Sequence, residues 1–226
     1  MTASSDVASL RAELQRRFRT TTRELEVAGR VVSLLMPANA DDLISEADFD
    51  RDERLPYWAD LWPSARILAE ELAVMRLRGQ RVLELGCGLG LVAMGAVIGG
   101  ADVTATDYYE DATRFALVNV AGATGALIET RMVNWVDLPA DLGKFDVVIA
   151  SDVLYEHRYA SLVANAIAST LRRGGEAIVA DPGRIALQEF LDECSRRGLT
   201  HEPDPRPFVD GEIRQTVTLW KLRWKA

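Results

Sequence analysis

The sequence predicts an α/β fold, a doubly wound sheet of seven strands that is mostly parallel, with an antiparallel C-terminal strand. Two patterns indicate this class. Five short, almost continuously apolar segments alternate with segments of helical periodicity, as in parallel sheets that helices cover on both faces. The C-terminal stretch RQTVTLWKLRW instead alternates apolar and polar residues, which predicts antiparallel strands at the end of the chain.

Residues 1–55 are predicted to form an extension outside this sheet. Apolar residues at helical spacing predict a helix over residues 6–18. Two alternating runs on either side of Ala28 and Gly29 predict a hairpin. The acidic segment 38–56 is interpreted as a solvated loop, and a mobile acidic rim near a site is the alternative.

The remaining residues, 56–226, are predicted to form one domain around the sheet. Helices are predicted over residues 63–75, from the glycines at 86–90 to residue 99, and over 110–121, 158–171 and 185–197. Strands are predicted over residues 81–85, 102–106, 127–133, 145–150, 176–180, 200–202 and 213–224. Ligands of such sheets bind beyond the carboxyl ends of the strands. We therefore expect one crevice to be bordered by residues 84–90, 107–108, 134–135 and 151–155.

Composition argues against several classes of function. The net charge of −8 makes nucleic acid a poor partner, whereas a cationic partner fits better, although acidity serves solubility alone in many proteins. The two cysteines and two histidines show no metal-ligand spacing, so no metal site is predicted. Few cysteines and no secretory signal indicate the cytoplasm. The longest apolar run, residues 89–101, is too short to span a membrane.

The stretch VLELGCGLG, residues 82–90, raises the question of which ligand its glycines serve. A dinucleotide turn has the spacing G-x-G-x-x-G, whereas the spacing here is G-x-G-x-G, and Glu84 before it would repel a pyrophosphate. An acid at this place suits a ligand with an ammonium group, such as S-adenosylmethionine. Asp107, which closes the next strand, can accept hydrogen bonds from both ribose hydroxyls. A plain tight turn is the alternative.

Five stretches between residues 55 and 184 share the pattern of a known family. They are LPYWADLWPSARILAEEL, VLELGCGLGLVAMGA, VTATDYYEDATRFALVNV, VNWVDL and SDVLYE. The chain resembles the class I, seven-β-strand S-adenosylmethionine-dependent methyltransferases, which have a Rossmann-like fold. More narrowly, LWPSA and SDVLY resemble the lysine methyltransferase-like family that modifies non-histone proteins.

The resemblance implies roles for individual residues of the crevice. The cofactor would be S-adenosylmethionine and the product S-adenosylhomocysteine. The residues implied to bind it are Trp62 at the methionine end, Glu84, Gly86, Gly88 and Gly90 in the loop beneath, Asp107 at the ribose, Tyr108 against the adenosine, Trp135 on the adenine and Ser151 through its backbone. The implied catalytic residues, Asp152 and Tyr155, would face the incoming amine.

These residue types suit methyl transfer to a lysine. The sulfonium is already activated, so the protein must align the nucleophile and exclude water. The lysine must lose its proton, and both the sulfonium and partial burial lower its pKa. Asp152 would hold the amine, and Tyr155 would direct its lone pair. The alternatives are a helix N-cap for Asp152, rim packing for Tyr155 and a core anchor for Trp62.

The sequence thus predicts a cytoplasmic N-methyltransferase whose partner is a protein substrate, with no role for nucleic acid or membrane. The stretch ADPG at 180–183 lacks the second proline and the aromatic residue that base-modifying methyltransferases carry. One alternative is a small-molecule methyltransferase, whose pocket residues 1–55 could close as a lid. The other is a non-catalytic cofactor-binding interaction module, against which the intact Glu84, Asp107 and Asp152 argue.

Overall fold

The computed structural model describes residues 3–43 and 56–225, so most of the acidic segment lies outside the described residues. The helices are α1 Ala3–Arg17, α2 Pro63–Val74, α3 Leu91–Ile98, α4 Glu110–Thr124, α5 His157–Thr170 and α6 Leu187–Arg196. The strands are β1 Thr20–Val27, β2 Arg30–Pro37, β3 Arg81–Leu85, β4 Asp102–Asp107, β5 Glu129–Met132, β6 Phe145–Ser151, β7 Leu171–Asp181, β8 Leu199–Asp210 and β9 Ile213–Trp224. Within the described ranges, no helix is both long and apolar enough to cross a membrane.

The main sheet has seven strands in the order β5-β4-β3-β6-β7-β9-β8, and this arrangement confirms the predicted fold class. Strands β5, β4, β3, β6 and β7 are parallel, and β9 pairs antiparallel with both β7 and β8. After β3 the chain adds β4 and then β5 on one side of β3, and β6 then pairs with β3 on its other side. This reversal beside β3 creates the crevice in which such sheets bind ligands.

Three strands differ from their predicted bounds by two residues or more. β5 covers Glu129–Met132 rather than residues 127–133, because it is an edge strand with only β4 as a partner. β7 begins at Leu171, five residues before the predicted start at 176, and passes through Gly174 at a φ of +78°. β8 reaches Asp210 rather than ending at 202, although prolines stand at 203, 205 and 207.

The prolines of β8 are tolerated because the strand lies at the edge of the sheet. They occupy alternate positions in the register, opposite Trp220, Thr218 and Thr216 of β9. Alternate residues of a strand direct their backbone nitrogens to the same side, so all three ring nitrogens share one side of β8. In an edge strand that side can be the one without a partner strand, where no ladder hydrogen bond is lost.

The N-terminal helix and hairpin are confirmed, and they pack on the sheet domain. The helix α1 begins three residues before the predicted start and ends one residue before the predicted end. Buried residues of α1 and the hairpin, such as Leu14 and Leu34, belong to the same hydrophobic cluster as Phe115 of α4. Arg17 also pairs with Asp111 at 2.6 Å, so α1 and the hairpin are attached to α4 through both apolar and charged contacts.

Candidate active site

A cavity opens at the carboxyl ends of the central strands, as the sequence predicts. It encloses about 1150 Å³ of empty space, part of it open to solvent. The segments that follow four parallel strands border it: residues 86–89 after β3, 107–109 at β4, 133–136 after β5 and 151–153 at β6. Residues 57–62 and side chains of α5 complete the walls. The wall brings glycine backbone, carboxylates and aromatic side chains to one space at the place where such sheets bind ligands.

The three glycines of the loop have left-handed backbone angles, with φ of +77° at Gly86, +47° at Gly88 and +82° at Gly90. Gly86 and Gly88 border the cavity. Gly90 faces α4 instead, where a Cβ atom would lie 2.6 Å from the Cα atom of Ala116. The first two glycines therefore bring bare backbone to the cavity, and the third allows α4 to pack against the loop.

Glu84 lies beneath this loop and does not border the cavity. It is fully buried, and its two carboxylate oxygens have no hydrogen-bond partner among the described residues. Burial raises the pKa of Glu84 well above its usual range, and the nearby Asp107 raises it further. The backbone of Ala93 lowers this pKa by a smaller amount. Because Glu84 does not border the cavity, any effect of this side chain on a bound ligand would act from below the loop.

Asp107 links the glycine loop to the end of β4. One carboxylate oxygen accepts the N–H of Gly88 at 3.0 Å, and the other accepts the N–H of Tyr109 at 3.0 Å. Burial raises the pKa of Asp107, and the backbone N–H donors counteract this shift. Each oxygen keeps a second lone pair, so the side chain can still accept from a diol in the cavity. Tyr108 lies beside it at the rim and is 39% exposed.

Aromatic side chains form much of the cavity wall. The Trp135 ring lies 5.6 Å from that of Tyr159, and its Nε1 is buried without a hydrogen-bond partner in the described structure. Tyr155 lies between Tyr159 and Tyr57, with 4.9 Å between ring centroids on each side. Burial and the neighbouring Tyr159 raise the pKa of Tyr155, which keeps its hydroxyl neutral. Trp62 donates its Nε1–H to the carbonyl of Tyr57 at 2.9 Å.

Asp152 borders the cavity directly after Ser151, the last residue of β6. Its backbone is left-handed, with a φ of +59°, and only 3% of its side chain is exposed. One carboxylate oxygen accepts from the Ser64 hydroxyl at 2.9 Å, and the other accepts from Nε of Arg184 at 2.5 Å. The helix-cap alternative is wrong, because α5 begins at His157, with Glu156 at the N-cap and no side-chain cap.

Arg184 and Ser64 are partners of Asp152 that the sequence did not reveal. Arg184 follows Asp181, whose carboxylate accepts the backbone N–H groups of Gly183 and Arg184 at 2.7 and 2.8 Å. Asp181 ends β7, the strand beside β6. The position of Arg184 could have been predicted from the sequence, because the carboxyl ends of adjacent parallel strands meet at one edge of a sheet.

Comparisons with known proteins give the class of this chain. A model of the lysine methyltransferase family matches residues 54–194, and the chain belongs to this family. It is 30% identical over 133 residues to the electron transfer flavoprotein beta subunit lysine methyltransferase of Xenopus laevis, a match that covers 57% of this chain and 53% of that protein. It is 34% identical over 161 residues to protein N-lysine methyltransferase METTL21A of Danio rerio, covering 64% of this chain and 70% of that protein. The match thus spans about half the length of the Xenopus relative.

Solved structures agree on the fold. The magnesium protoporphyrin IX methyltransferase of Synechocystis PCC 6803 with bound SAM superposes with a TM-score of 0.60 at 20% identity, over 80% of this chain and 94% of that chain. These comparisons confirm the predicted class, the S-adenosylmethionine-dependent methyltransferases, and hence the predicted cofactor.

Proposed function

We propose that this protein transfers methyl groups from S-adenosylmethionine to a lysine side chain of a protein. The observation that carries the proposal is Asp152, a buried carboxylate on the same cavity as the glycine loop and Asp107. The carboxylate oxygens at this place can accept a hydrogen bond from the nitrogen of an acceptor, which an apolar wall could not do. The names of the relatives, which act on lysines of proteins, support the same acceptor.

The cofactor supplies an activated methyl group, and the residues on the cavity fit its parts. In this proposal Asp107 accepts from the ribose hydroxyls, and Trp135 and Tyr108 pack on the adenosine. Gly86 and Gly88 expose backbone to the methionine part. The remaining contacts are proposed for Trp62, for the Ser151 backbone, and for Glu84 and Gly90 acting from below the loop.

Tyr155 and Asp152 are proposed to meet the acceptor amine. Because the pKa of Tyr155 is raised, the tyrosine acts as a neutral hydrogen-bonding group that orients the nitrogen, not as a base. The rings of Tyr57 and Tyr159 flank Tyr155 and leave less room for water beside the nitrogen. A low-dielectric wall of this kind favours the uncharged amine, which is the nucleophile.

A small-molecule methyltransferase usually needs a lid that closes its pocket. None of the described residues 3–43 borders the cavity, so the extension gives no support to that role. The cytoplasm is proposed as the site of action, because Cys87 and Cys194 are buried and free, as in a reducing compartment. The proposed partner is a protein and not a nucleic acid, in keeping with the net charge of −8.

Tritiated-methyl transfer into a lysate of cells that lack this protein tests the proposal. We expect label in one or a few polypeptides on a protein gel, and methylated lysine after acid hydrolysis of the labelled band. Label confined to free small molecules would support the small-molecule alternative. Binding of S-adenosylhomocysteine without any labelled product would support the non-catalytic module.

Asp152→Asn separates acceptor use from cofactor binding. The change keeps the shape and removes the charge, so we expect the affinity for S-adenosylhomocysteine to stay within about threefold. Methyl transfer should fall by roughly 10²-fold, the scale of a lost positioning group, and higher pH should recover part of it by deprotonating the lysine. The control is Asp146→Asn, since Asp146 lies near the other end of β6 and also pairs with an arginine, Arg172. Equal losses in the two variants would contradict the role of Asp152.

A further inference from the structure

The carboxylate proposed to meet the acceptor already has a cation. Nε of Arg184 lies 2.5 Å from one oxygen of Asp152, and the pair is largely buried, with 34% of the Arg184 side chain and 3% of the Asp152 side chain exposed. The guanidinium carbon also lies 5.2 Å from the centre of the Trp62 ring. Contacts on two sides, together with the Asp181 turn, hold Arg184 at this place.

A carboxylate that is paired in this way attracts a second cation weakly. The charge of Asp152 is compensated by Arg184, and the Ser64 hydroxyl occupies its other oxygen. A lysine ammonium at Asp152 would gain little attraction and would stand close to a second positive charge. An uncharged amine would meet neither penalty.

We propose that Arg184 is a specificity-determining residue: by neutralising Asp152 it makes the acceptor site take the uncharged amine in preference to the ammonium. The identity of the acceptor rests on the proposed function. Arg184 does not touch the reacting atoms in this proposal and acts through Asp152. The ammonium binds less favourably before reaction because the Arg184–Asp152 pair offers it no net negative charge.

Other charged and titratable groups lie around this part of the cavity. Arg158 of α5 pairs with Glu156 at 2.8 Å, and Asp107 is engaged with backbone N–H groups. Burial raises the pKa of Asp181, and the backbone N–H groups of Arg184 and Gly183 counteract this shift. The remaining titratable side chains on this part of the cavity wall are Asp60, Tyr57, Tyr155 and Tyr159. Because the acceptor nitrogen is proposed to meet Asp152, the pairing of Asp152 with Arg184 sets the local charge beside that nitrogen.

Binding of two small probes tests the proposal without any methyl transfer. The probes are n-butylammonium, which mimics the lysine side chain, and n-butanol, its uncharged counterpart, titrated by NMR into protein saturated with S-adenosylhomocysteine at pH 7. We expect the wild type to bind n-butanol at least as tightly as n-butylammonium. A tenfold preference of the wild type for n-butylammonium would overturn the proposal.

Arg184→Gln removes the guanidinium charge and exposes Asp152 to the probe. We expect n-butylammonium to bind about tenfold more tightly than to the wild type, and the gain to vanish in the double variant with Asp152→Asn. Arg184→Lys keeps the charge and should bind like the wild type. Arg172→Gln removes the same charge from the pair with Asp146 and controls for net charge. Melting curves verify that each variant is folded. If Arg184→Gln does not fold, the relative affinities of the wild type for n-butanol and n-butylammonium decide whether the proposal stands.

The outcomes distinguish this inference from the proposed function. If the probes behave as expected but no polypeptide is labelled in the lysate, the site property stands and the lysine proposal fails. If polypeptides are labelled but Arg184→Gln and the wild type bind n-butylammonium equally, the role of Arg184 fails alone.

Discussion

Glu84 shows how a single residue can oppose the stability of the fold beside a functional cavity. Its carboxyl group is fully buried without a hydrogen-bond partner in the described chain, and burial raises its pKa well above the usual value of 4.5. The folded chain therefore binds this proton more tightly than the unfolded chain does. By linkage, its contribution to the free energy of unfolding falls as the pH rises from about 4.5 toward the raised pKa.

Glu84→Gln should remove this pH-dependent loss. We expect a higher melting temperature than the wild type at pH 7, a smaller difference at pH 4, and weaker binding of S-adenosylhomocysteine because the carboxylate is gone. Glu193→Gln is the control of opposite sign, because Arg197 and Arg196 lower the pKa of Glu193 and stabilise its ionised form at pH 7. Thermal melts across pH and calorimetry measure both effects. A lower melting temperature for Glu84→Gln at pH 7 would contradict the explanation.

Trp135 is the residue at which cofactor binding and packing can be separated. If its ring packs on the adenine, Trp135→Ala should remove about 1–3 kcal/mol of binding free energy, a loss of roughly tenfold or more in affinity. The matched control is Trp224→Ala. The Nε1 of Trp224 is also buried without a partner in the described structure, but its ring packs under Arg173, away from the cavity. Unchanged affinity with a lower melting temperature would mean that Trp135 is a core residue only.

The residues that the sequence located are those whose positions follow from one strand and the turn after it. Glu84, the glycines and Asp107 need only a strand end and the direction of the chain beyond it. Arg184 and Ser64 lie 32 and 88 residues from Asp152 in the sequence. Arg184 stands in the turn after β7, so the rule for strand ends could have placed it at this edge, but its pairing with Asp152 depends on the register between β6 and β7. The contact of Ser64 depends on how α2 packs.

At the scale of elements, the types of helix and strand could be predicted, but several boundaries could not. Apolar periodicity indicates which face is buried, so every predicted helix and strand is present in the described chain. The ends of β5 and β8 instead depend on which strand lies at the edge of the sheet. Three prolines end a central strand, yet they are compatible with β8, and only the topology distinguishes the two cases.

Asn119 connects three elements and gives a test at this scale. It is 1% exposed in α4, accepts the N–H of Leu35 in β2, and donates to the carbonyls of Leu35 and Leu89 at 2.8 and 2.9 Å. Asn119→Ala leaves these backbone groups buried and unpaired, so we expect a loss of about 2–4 kcal/mol in the free energy of unfolding, measured in urea. Gln188→Ala, which removes an exposed side-chain hydrogen bond, should change it by less than about 0.5 kcal/mol.

At the scale of the whole molecule, the N-terminal hairpin belongs to the core of the protein and is not an independent cover. Leu25, Val27, Val32 and Leu34 lie in the same buried cluster as residues of β3, β4 and α4. The sequence predicted the hairpin but not its position, because alternation shows only that one face is buried and not what buries it. The position matters for function, since a lid would have to reach the cavity.

Leu34→Ala tests whether the hairpin supports the fold or controls access to the cavity. Leu34 is fully buried, so truncation should lower the free energy of unfolding by about 2–5 kcal/mol. Below the melting transition, the affinity for S-adenosylhomocysteine should equal that of the wild type, because none of the described hairpin residues borders the cavity. Val31→Ala, at a position 72% exposed on the same strand, should change neither quantity measurably. A lid would show the reverse pattern: cofactor would exchange faster and bind more weakly in Leu34→Ala, with little change in stability.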